Sequence, residues 1–417
     1  MASKPTTAVI GSGISGLTAA YLMRRVSRVT LYEADSRLGG HAHTHSIVST
    51  DGSIRHLDTG FIVYNVAHYP LFTRLLNELG VRSVASEMSM SVLCDGCGLK
   101  YSAGSGLRTL PQELQSANAD LLVEMLEFNR VCEKILATPE DHGVTLHKML
   151  ADHGFSDYFA HHVVLPLVSI VWSCDPRTAG LYPVAALLAF LNNHGMLRGS
   201  AATRWRTLSS RSADYVSRIA TTLDEVLTET PVRSVRRDVD GIAVTDAAGG
   251  TRRFDRVILA VHPGEALALL ADPTPVELSV LGALPYVRNR ALLHTDASVL
   301  PQAAEHRSSW NYRQNTCHPN PDGMLMSYYL NRLENIDSNT DYVVTLGPEE
   351  AVDPRKVLAR MDYEHPVYTP ESDAARRRLP DLASPTLAYA GAYHGWGFHE
   401  DGCRSGVEAA RGFGVGW

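Results

Sequence analysis

The sequence is poor in the features that mark secreted, membrane-spanning or nucleic-acid-binding proteins. Six cysteines in 417 residues are too few and too scattered for a disulfide framework. The longest apolar run, Val163–Trp172, contains Pro166 and is far shorter than a membrane span. Residues 1–5 begin no signal-peptide core, and the net charge of −7 is not accompanied by a basic, aromatic-rich stripe. We therefore expect a cytoplasmic protein with no transmembrane segment and no nucleic-acid partner.

A glycine-rich turn lies near the start of the chain. Ala8–Ile10 predicts a short buried strand, and an apolar helix is expected directly after the turn. Gly11 permits the tight turn, Gly13 lets a pyrophosphate approach the backbone, and Gly16 lets the helix pack on the strand. A second predicted strand ends at Glu33, where a carboxylate can accept both ribose hydroxyls of an adenosine. This spacing indicates a dinucleotide site.

The segments around this motif resemble the flavin amine oxidase and phytoene desaturase superfamily. Glu33–Gly40 is similar to the extended FAD fingerprint, and Leu57–Phe61 resembles the segment that passes beside the flavin. Near the other end, Thr386–Gly391 predicts a strand and Glu400–Gly402 opens an amphipathic helix, as in that superfamily. The resemblance implies an FAD cofactor, whose reduced, negatively charged flavin the N-terminus of this last helix would stabilise.

The implied fold is α/β, a two-domain FAD-binding fold of the glutathione reductase-like Rossmann type with an interleaved α+β substrate domain. The FAD-binding domain is expected to be discontinuous, over residues 1–62, 204–266 and 381–417. The substrate-binding domain is expected over residues 63–203, mostly helical, and 267–380, with strands near 287–295 and 324–330. The glycine motif and the resemblance together predict FAD contacts at Gly11, Ser12, Gly13, Ile14, Ser15, Gly16, Glu33, Ala34, Gly39, Gly40, His41, Thr59, Gly60, Phe61, Val232, Gly391, Glu400 and Asp401.

Several stretches narrow the resemblance to one branch of bacterial FAD proteins. The similar segments include Gly60–Asn65, Met88–Val92, Cys94–Leu99, Ile170–Ser173, Ser309–Tyr312 and Gly397–Gly402. Members of this branch are often encoded beside, or fused to, cyclopropane fatty acid synthase-like methyltransferases. That association implies an acyl chain or a lipid as the substrate, and it makes a lipid methyltransferase a candidate partner.

Two features depart from the superfamily. The C-terminal strand ends in Gly391-Ala392 where desaturases usually have Gly-Asp, so one acceptor for FAD hydroxyls is missing. Amine oxidases often use a lysine that holds water near flavin N5, but none of the five lysines lies on the substrate-domain strands of residues 287–330. Arg290 lies in that region instead. The lysine distribution weakens the prediction of an ordinary amine oxidase.

Three side chains are candidate catalytic groups. His399 precedes the last helix, where a neutral imidazole could accept a proton from substrate; the alternative is that it only hydrogen-bonds backbone or flavin. Tyr64 either reaches the pocket or makes an ordinary structural hydrogen bond. His294 faces inward on a predicted strand, where a core histidine with satisfied hydrogen bonds is the competing interpretation. Aromatic residues that could line the flavin face, or simply pack in the core, are Tyr393, Trp396 and Phe398.

Two groups of side chains are of the types that bind metals. Cys94-x-x-Cys97 is half of a zinc ribbon or a redox dithiol, but no second pair of this spacing follows. A hairpin turn at Asp95-Gly96 explains the spacing more simply. Histidines also alternate along residues 41–45, and because His41 follows the second glycine pair we expect a cofactor role for it. No metal site is predicted.

These features predict an FAD-dependent oxidoreductase that dehydrogenates, or desaturates, an aliphatic acyl-lipid substrate by hydride transfer to flavin N5. Among enzymes, redox-neutral double-bond isomerisation and oxidation of an amine-bearing small metabolite stay open. A third alternative is a non-catalytic FAD-binding partner of a lipid methyltransferase. Equal masses of substrate and product would identify an isomerase, and peroxide release with amines would identify an amine oxidase.

Overall fold

The structure is a computed structural model that describes residues 4–49, 52–104, 120–138, 143–194, 196–197, 204–318 and 324–417. Its strands are β1 Thr6–Ile10, β2 Arg28–Tyr32, β3 Thr44–Val48, β4 Ile54–Asp58, β5 Val63–Asn65, β6 Ser83–Ala85, β7 Ser89–Cys94, β8 Lys100–Gly104, β9 Trp205–Leu208, β10 Glu225–Leu227, β11 Val232–Asp238, β12 Gly241–Asp246, β13 Thr251–Phe254, β14 Arg256–Leu259, β15 Tyr286–His294, β16 Trp310–Gln314, β17 Met324–Tyr329, β18 Val343–Leu346, β19 Val357–Pro366 and β20 Leu387–Tyr389. Its α-helices are α1 Ile14–Met23, α2 Pro70–Leu79, α3 Asp120–Ala137, α4 Leu146–Asp152, α5 Asp157–Phe159, α6 Leu165–Trp172, α7 Pro176–Gly180, α8 Val184–Asn193, α9 Ser212–Ala220, α10 Pro263–Leu269, α11 Pro275–Leu281, α12 Leu330–Leu333, α13 Pro370–Arg377 and α14 His399–Gly412.

A five-stranded parallel sheet forms the centre of the first domain, in the order β10-β2-β1-β14-β20. The predicted β1-α1-β2 unit is confirmed, as are the strand before Gly391 and the helix α14. Side chains alternate across a strand, so Val9 packs with α1 and α14 whereas Ala8 and Ile10 face the opposite layer. The strands are apolar on both faces because both faces are covered, which is typical of a parallel sheet.

A seven-stranded sheet forms the centre of the second domain, in the order β19-β15-β18-β17-β16-β7-β8. Its strands β15 and β17 confirm the strands predicted near 287–295 and 324–330. Residues 63–203 were expected to be mostly helical, but their first part, up to Gly104, carries the four strands β5–β8. The difference has a physical reason: β7 pairs in parallel with β16, more than 200 residues later in the chain, and local periodicity carries no signal for such a partner. Residues 105–119, 139–142, 195 and 198–203 of this stretch lie outside the described residues.

A buried carboxyl pair lies where the end of β4 meets the end of α12. Glu334, at the end of α12, accepts a hydrogen bond from the Asp58 backbone N–H and lies 3.3 Å from the Arg211 guanidinium. Asp58 in turn accepts hydrogen bonds from the hydroxyls of Thr44 and Ser212. Burial raises the pKa of Glu334 to about 8 and that of Asp58 to about 6, even though Arg211 acts in the opposite direction on both.

The buried pair makes the stability of the protein depend on pH. Between pH 4.5 and about 8 the folded protein holds a proton on Glu334 that the unfolded chain has released, so stability decreases as pH rises through this range. Asp58 adds a contribution of the same sign between pH 3.8 and about 6. We therefore expect the melting temperature of the wild type, measured by thermal unfolding, to fall as pH rises across this range. The melting temperature of Glu334→Gln should fall by several degrees less over the same range.

The exposed residue Glu350 supplies the matched control. Glu350→Gln removes a carboxyl of the same type without removing a buried one, and it should follow the wild-type profile. If the melting temperatures of Glu334→Gln and the wild type changed with pH in parallel, the buried carboxyl would not control the pH dependence of stability.

Candidate active site

A cavity of about 740 Å³ lies between the two sheets and is lined by both domains. One half is formed by the glycine turn after β1, the end of β2 and the segment around Thr59. The other half is formed by α6, α8 and the seven-stranded sheet. The N-terminus of α14 lies at the same cavity. The half around the glycine turn is called the cofactor half, and the half around α6 and α8 is called the apolar half. The two halves form one continuous space.

The glycine turn has the shape of a phosphate cradle. Gly11 adopts a φ of +98°, and a Cβ there would lie 2.5 Å from the Ala260 carbonyl oxygen. Gly13 differs, because a Cβ on it would meet no atom within 4 Å although the residue lines the cavity. The Glu33 carboxylate at the end of β2 accepts hydrogen bonds from the Ser12 and Asp35 backbone N–H groups at 3.0 and 2.9 Å. The loop is thus held rigidly around open space of the kind that a pyrophosphate fills.

The second glycine pair completes this half of the cavity. Gly40 packs on Gly13, since a Cβ on it would lie 3.1 Å from the Gly13 Cα. In the next residue, His41, the ring Nε2 is buried and has no hydrogen-bond partner in the described part of the chain. Burial lowers the pKa of His41 well below its usual range, so the ring is neutral. A buried polar atom without a partner costs free energy, and a bound cofactor would satisfy it.

Most of the predicted cofactor residues line the cavity. They are Gly11, Ser12, Gly13, Ile14, Ser15, Glu33, Ala34, Gly40, His41, Thr59, Gly60, Phe61, Val232 and Gly391. Gly16 packs against the Gly11 carbonyl, and Gly39 donates its N–H to the Ser12 backbone carbonyl. Both serve the shape of the cradle and do not line the cavity.

The two acidic residues in the first turn of α14 face the protein and not the cavity. Glu400 accepts hydrogen bonds from the Leu71 and Phe72 backbone N–H groups at 3.1 and 2.9 Å. Asp401 accepts from the backbone N–H groups of Trp396 and Phe398, at 3.0 and 3.1 Å. These carboxylates were expected at the cofactor, but in the structure they hold the start of α2 and the turn before α14, since the first N–H groups of a helix have no partner within it.

The three candidate catalytic side chains occupy different places. His399 lines the cavity, stacks on Phe61 with ring centroids 3.6 Å apart, and places its Nε2 2.8 Å from the Tyr215 hydroxyl. Burial lowers the pKa of His399 to about 3. The partner is a side chain, whereas the alternative interpretation had named backbone or flavin. A group with so low a pKa binds a proton weakly, and a catalytic role for His399 stays a prediction.

Tyr64 and His294 lie outside the cavity lining. The Tyr64 hydroxyl donates to Ser83 at 2.8 Å, which is the ordinary structural hydrogen bond. His294 is fully buried, with its Nε2 2.8 Å from the Thr345 hydroxyl and its Nδ1 accepting the Asp296 N–H. Both rings satisfy their polar atoms within the protein, so the structure does not bring them to His399.

The apolar half of the cavity is built around an aromatic cluster. Phe190 stacks on Phe398 with ring centroids 4.6 Å apart, and Trp172 lies 4.5 Å from Phe190. Trp396 and His194 also pack on Phe190, at 5.7 and 3.9 Å. The sequence indicated Trp396 and Phe398 but not Trp172, Phe190 and His194, which come from α6, α8 and the end of α8. The segment Ile170–Ser173 of the branch resemblance contains Trp172 and was the available signal.

Charge is scarce in this cavity. Among the described residues its lining contains no lysine and no arginine, and its carboxylates are Glu33, Glu265 and Glu364. Glu364 lies 3.0 Å from the His262 ring, beside the first domain, and not in the aromatic cluster. Arg290, which stands where a lysine was sought, is on the outside and pairs with Asp362 and Glu349.

The cradle and the open space at Gly13 form a dinucleotide-binding site, and the unpartnered Nε2 of His41 belongs to a residue that lines the same cavity. The chain belongs to the flavin-containing amine oxidoreductase family, whose sequence model matches residues 14–412. This membership confirms the superfamily and the FAD cofactor predicted from the glycine motifs.

Known proteins of several activities resemble this chain. It is 27% identical over 296 residues to a carotenoid phi-ring synthase of Streptomyces griseus, a match that covers 64% of the chain and 54% of the relative. The chain thus spans about half the length of that relative. Among solved structures, cyclohexylamine oxidase from Brevibacterium oxydans IH-35A has a TM-score of 0.70 at 16% identity, with 98% of each chain covered. A CLA-producing fatty acid isomerase from P. acnes has a TM-score of 0.70 at 15% identity, with 99% of each chain covered.

These likenesses confirm the fold and leave the substrate open, because proteins of the same fold act on different compounds. Within the described residues, no helix is long and apolar enough to cross a membrane.

Proposed function

We propose that this protein dehydrogenates an aliphatic chain carried by an acyl lipid. The observation that carries the proposal is the apolar half of the cavity, whose aromatic cluster of Trp172, Phe190, Trp396 and Phe398 includes no carboxylate or cation. An alkyl chain buries well against such a surface, whereas a charged ammonium would lose its hydration without gaining an ionic partner.

FAD, when bound, supplies the acceptor for a hydride, and the protein supplies binding, orientation and exclusion of water. The aromatic rings would hold the chain and keep water out. Three histidines of the lining add no charge at neutral pH, because burial lowers the pKa of His365 and His194 to about 4 and that of His399 to about 3. The apolar half of the cavity, which holds none of the lining carboxylates, therefore suits an uncharged chain.

Two further points support an acyl substrate. The fatty acid isomerase named above shares the fold across 99% of the chain, so the same architecture accommodates a fatty acyl chain in that protein. The branch resemblance points to lipid methyltransferases, and we extend the proposal to such an enzyme as a partner. Isomerisation remains the second candidate, because it would use the same apolar cavity and return the hydride to the substrate.

Anaerobic reduction of the flavin tests the proposal. Purified protein would be mixed with methyl-branched and unsaturated acyl lipids, and then with amines, while the flavin absorption band is followed. We expect acyl lipids to bleach the band and amines to leave it unchanged. Chemical reduction with dithionite is the control that the bound flavin is reducible.

Bleaching by amines alone would contradict the acyl-lipid proposal. A band that never bleaches, together with a rearranged lipid of unchanged mass, would favour the isomerase. A band that never bleaches and a lipid that never changes would favour a non-catalytic flavoprotein.

A further inference from the structure

Four side chains of metal-binding type meet outside the cavity, beside the end of the seven-stranded sheet. Cys94 and Cys97 flank the turn between β7 and β8, His162 lies between α5 and α6, and Cys317 follows β16. One ligand atom from each of the four lies within 4.8 Å of the others. Three separate parts of the chain therefore converge on a single point.

The separations match a tetrahedral zinc site. With Zn–S bonds of about 2.3 Å and a Zn–N bond of about 2.0 to 2.1 Å, tetrahedral angles require S–S separations of about 3.8 Å and S–N separations of about 3.6 Å. The Cys94 and Cys317 sulfurs are 3.8 Å apart. The Cys97 sulfur lies 3.6 Å from the His162 Nε2. Both separations have the lengths that binding to a shared tetrahedral ion would impose.

The orientation of His162 is fixed in the way that a ligating histidine requires. Its Nδ1 lies 2.9 Å from the Tyr158 carbonyl oxygen, which makes Nδ1 the donor and leaves Nε2 as an acceptor. Metal-bound histidines commonly hold their second nitrogen with such a carbonyl. The ring is buried, and its Nε2 faces the Cys97 sulfur at 3.6 Å, with the other two sulfurs within 4.8 Å.

An irregular helical turn places this histidine. Residues Ala160–Val164 form a π-helical turn, a rare geometry that is often found at functional sites. Pro166 has no N–H, so the His162 carbonyl loses the helical hydrogen bond it would have received. The Tyr101 hydroxyl, from β8, donates to that carbonyl at 2.6 Å instead. The hairpin that carries the two cysteines thus also holds the histidine in position.

The turn between the cysteines is shaped for close approach. The hairpin loop spans residues 95–99, longer than the two-residue turn expected at Asp95-Gly96, and Gly98 adopts a φ of +74°. A Cβ on Gly96 would lie 3.0 Å from the Cys317 backbone nitrogen. A glycine at 96 therefore lets the loop reach the segment that carries the third cysteine.

We propose that Cys94, Cys97, His162 and Cys317 bind one zinc ion as a closed structural site. Three thiolates and an imidazole form a ligand set that favours zinc, and four protein ligands leave no open position for chemistry. Binding would release the three thiol protons. The ion would tie the β7-β8 hairpin to the helical segment whose continuation, α6, supplies Ile170–Trp172 to the cavity. This site does not depend on the identity of the substrate.

Metal analysis of the purified full-length protein is the first test. We expect about one zinc per chain, retained through dialysis or restored by reconstitution with zinc chloride, and lost with a strong chelator together with a fall in melting temperature. Cobalt substitution should give the thiolate-to-cobalt charge-transfer absorption and the intense visible bands of tetrahedral coordination. FAD content, read separately, should change little on zinc removal.

Matched variants locate the ion. Cys97→Ser and His162→Ala should each lower the zinc content at least several-fold, whereas Cys132→Ser, a buried thiol of α3, and His318→Ala, an exposed neighbour of Cys317, should retain it. If a ligand variant does not fold, the zinc content and cobalt spectrum of the wild type still decide. A wild type that takes up no zinc on reconstitution, with its thiols free or joined in a disulfide, would overturn the proposal, as would zinc content unchanged by either ligand variant.

Discussion

Replacing Gly13 with valine is expected to give a folded protein that has lost FAD. Gly13 has a φ of −61°, a conformation open to any residue, and a Cβ there would meet no protein atom within 4 Å. The added side chain would instead occupy the space where the pyrophosphate approaches the backbone. A steric overlap of about 3 kcal/mol corresponds to about a hundredfold weaker binding, and larger overlaps weaken it further. Flavin absorbance of the purified variant and titration of the apoprotein with FAD would measure the loss.

Gly412 provides the matched control for this substitution. It too has no atom within 4 Å of an added Cβ, but it lies at the far end of α14, away from the cavity. Gly412→Val should keep both the fold, followed by circular dichroism, and the FAD content. Full FAD binding by Gly13→Val would mean that the cofactor does not approach this loop.

A second large effect is expected at Trp310, a half-buried residue of β16 that lines the apolar half of the cavity. Trp310→Glu would place a carboxylate against the alkyl chain of the substrate, with no cation in the described lining to pair with it. Burying such a charge costs several kcal/mol, and each 1.36 kcal/mol is tenfold in rate. We therefore expect flavin reduction by acyl lipid to slow by about a hundredfold, measured by anaerobic stopped-flow absorbance.

Trp310→Phe is the control, because it keeps an apolar ring on the same strand and should retain most of the rate. FAD content should be unchanged in both variants, since Trp310 belongs to the seven-stranded sheet and the cradle lies in the parallel sheet. If Trp310→Glu instead accelerated flavin reduction by an amine while acyl lipids remained inactive, the aliphatic substrate would be wrong and the family's amine chemistry would be favoured.

The cofactor half of the site was predictable because its information is local. The strand β1, the turn at Gly11 and Gly13, and the helix α1 are consecutive, and each step needs a residue type that the sequence displays. Glu33 follows within the same unit. The exceptions, Glu400 and Asp401, were expected at the cofactor because of their position at a helix N-terminus. The direction of the Glu400 carboxylate depends on backbone donors of α2, which lie more than 300 residues away, whereas Asp401 accepts from the turn directly before α14.

For the catalytic candidates too, segments distant in the sequence decide where the side chain points. A histidine on a strand or before a helix has the same local sequence whether it faces a cavity or a core. His294 is satisfied by Thr345 and His399 by Tyr215, partners that belong to distant segments. The apolar half of the cavity likewise arises from α6, α8 and the turn before α14, whose rings meet only when both domains are assembled.

The sequence by itself determined the FAD-binding βαβ unit, the returning strand and helix near the C-terminus, and the family to which they belong, because these depend on consecutive residues with strict steric needs. Only the tertiary structure decided the lining of the apolar half and the meeting of Cys94 and Cys97 with His162 and Cys317. The physical reason is that Cys94-x-x-Cys97 is only half of a metal-binding motif, and strand pairing brings a third cysteine to it. Because β7 lies beside β16, Cys317 is carried to the hairpin of the two cysteines.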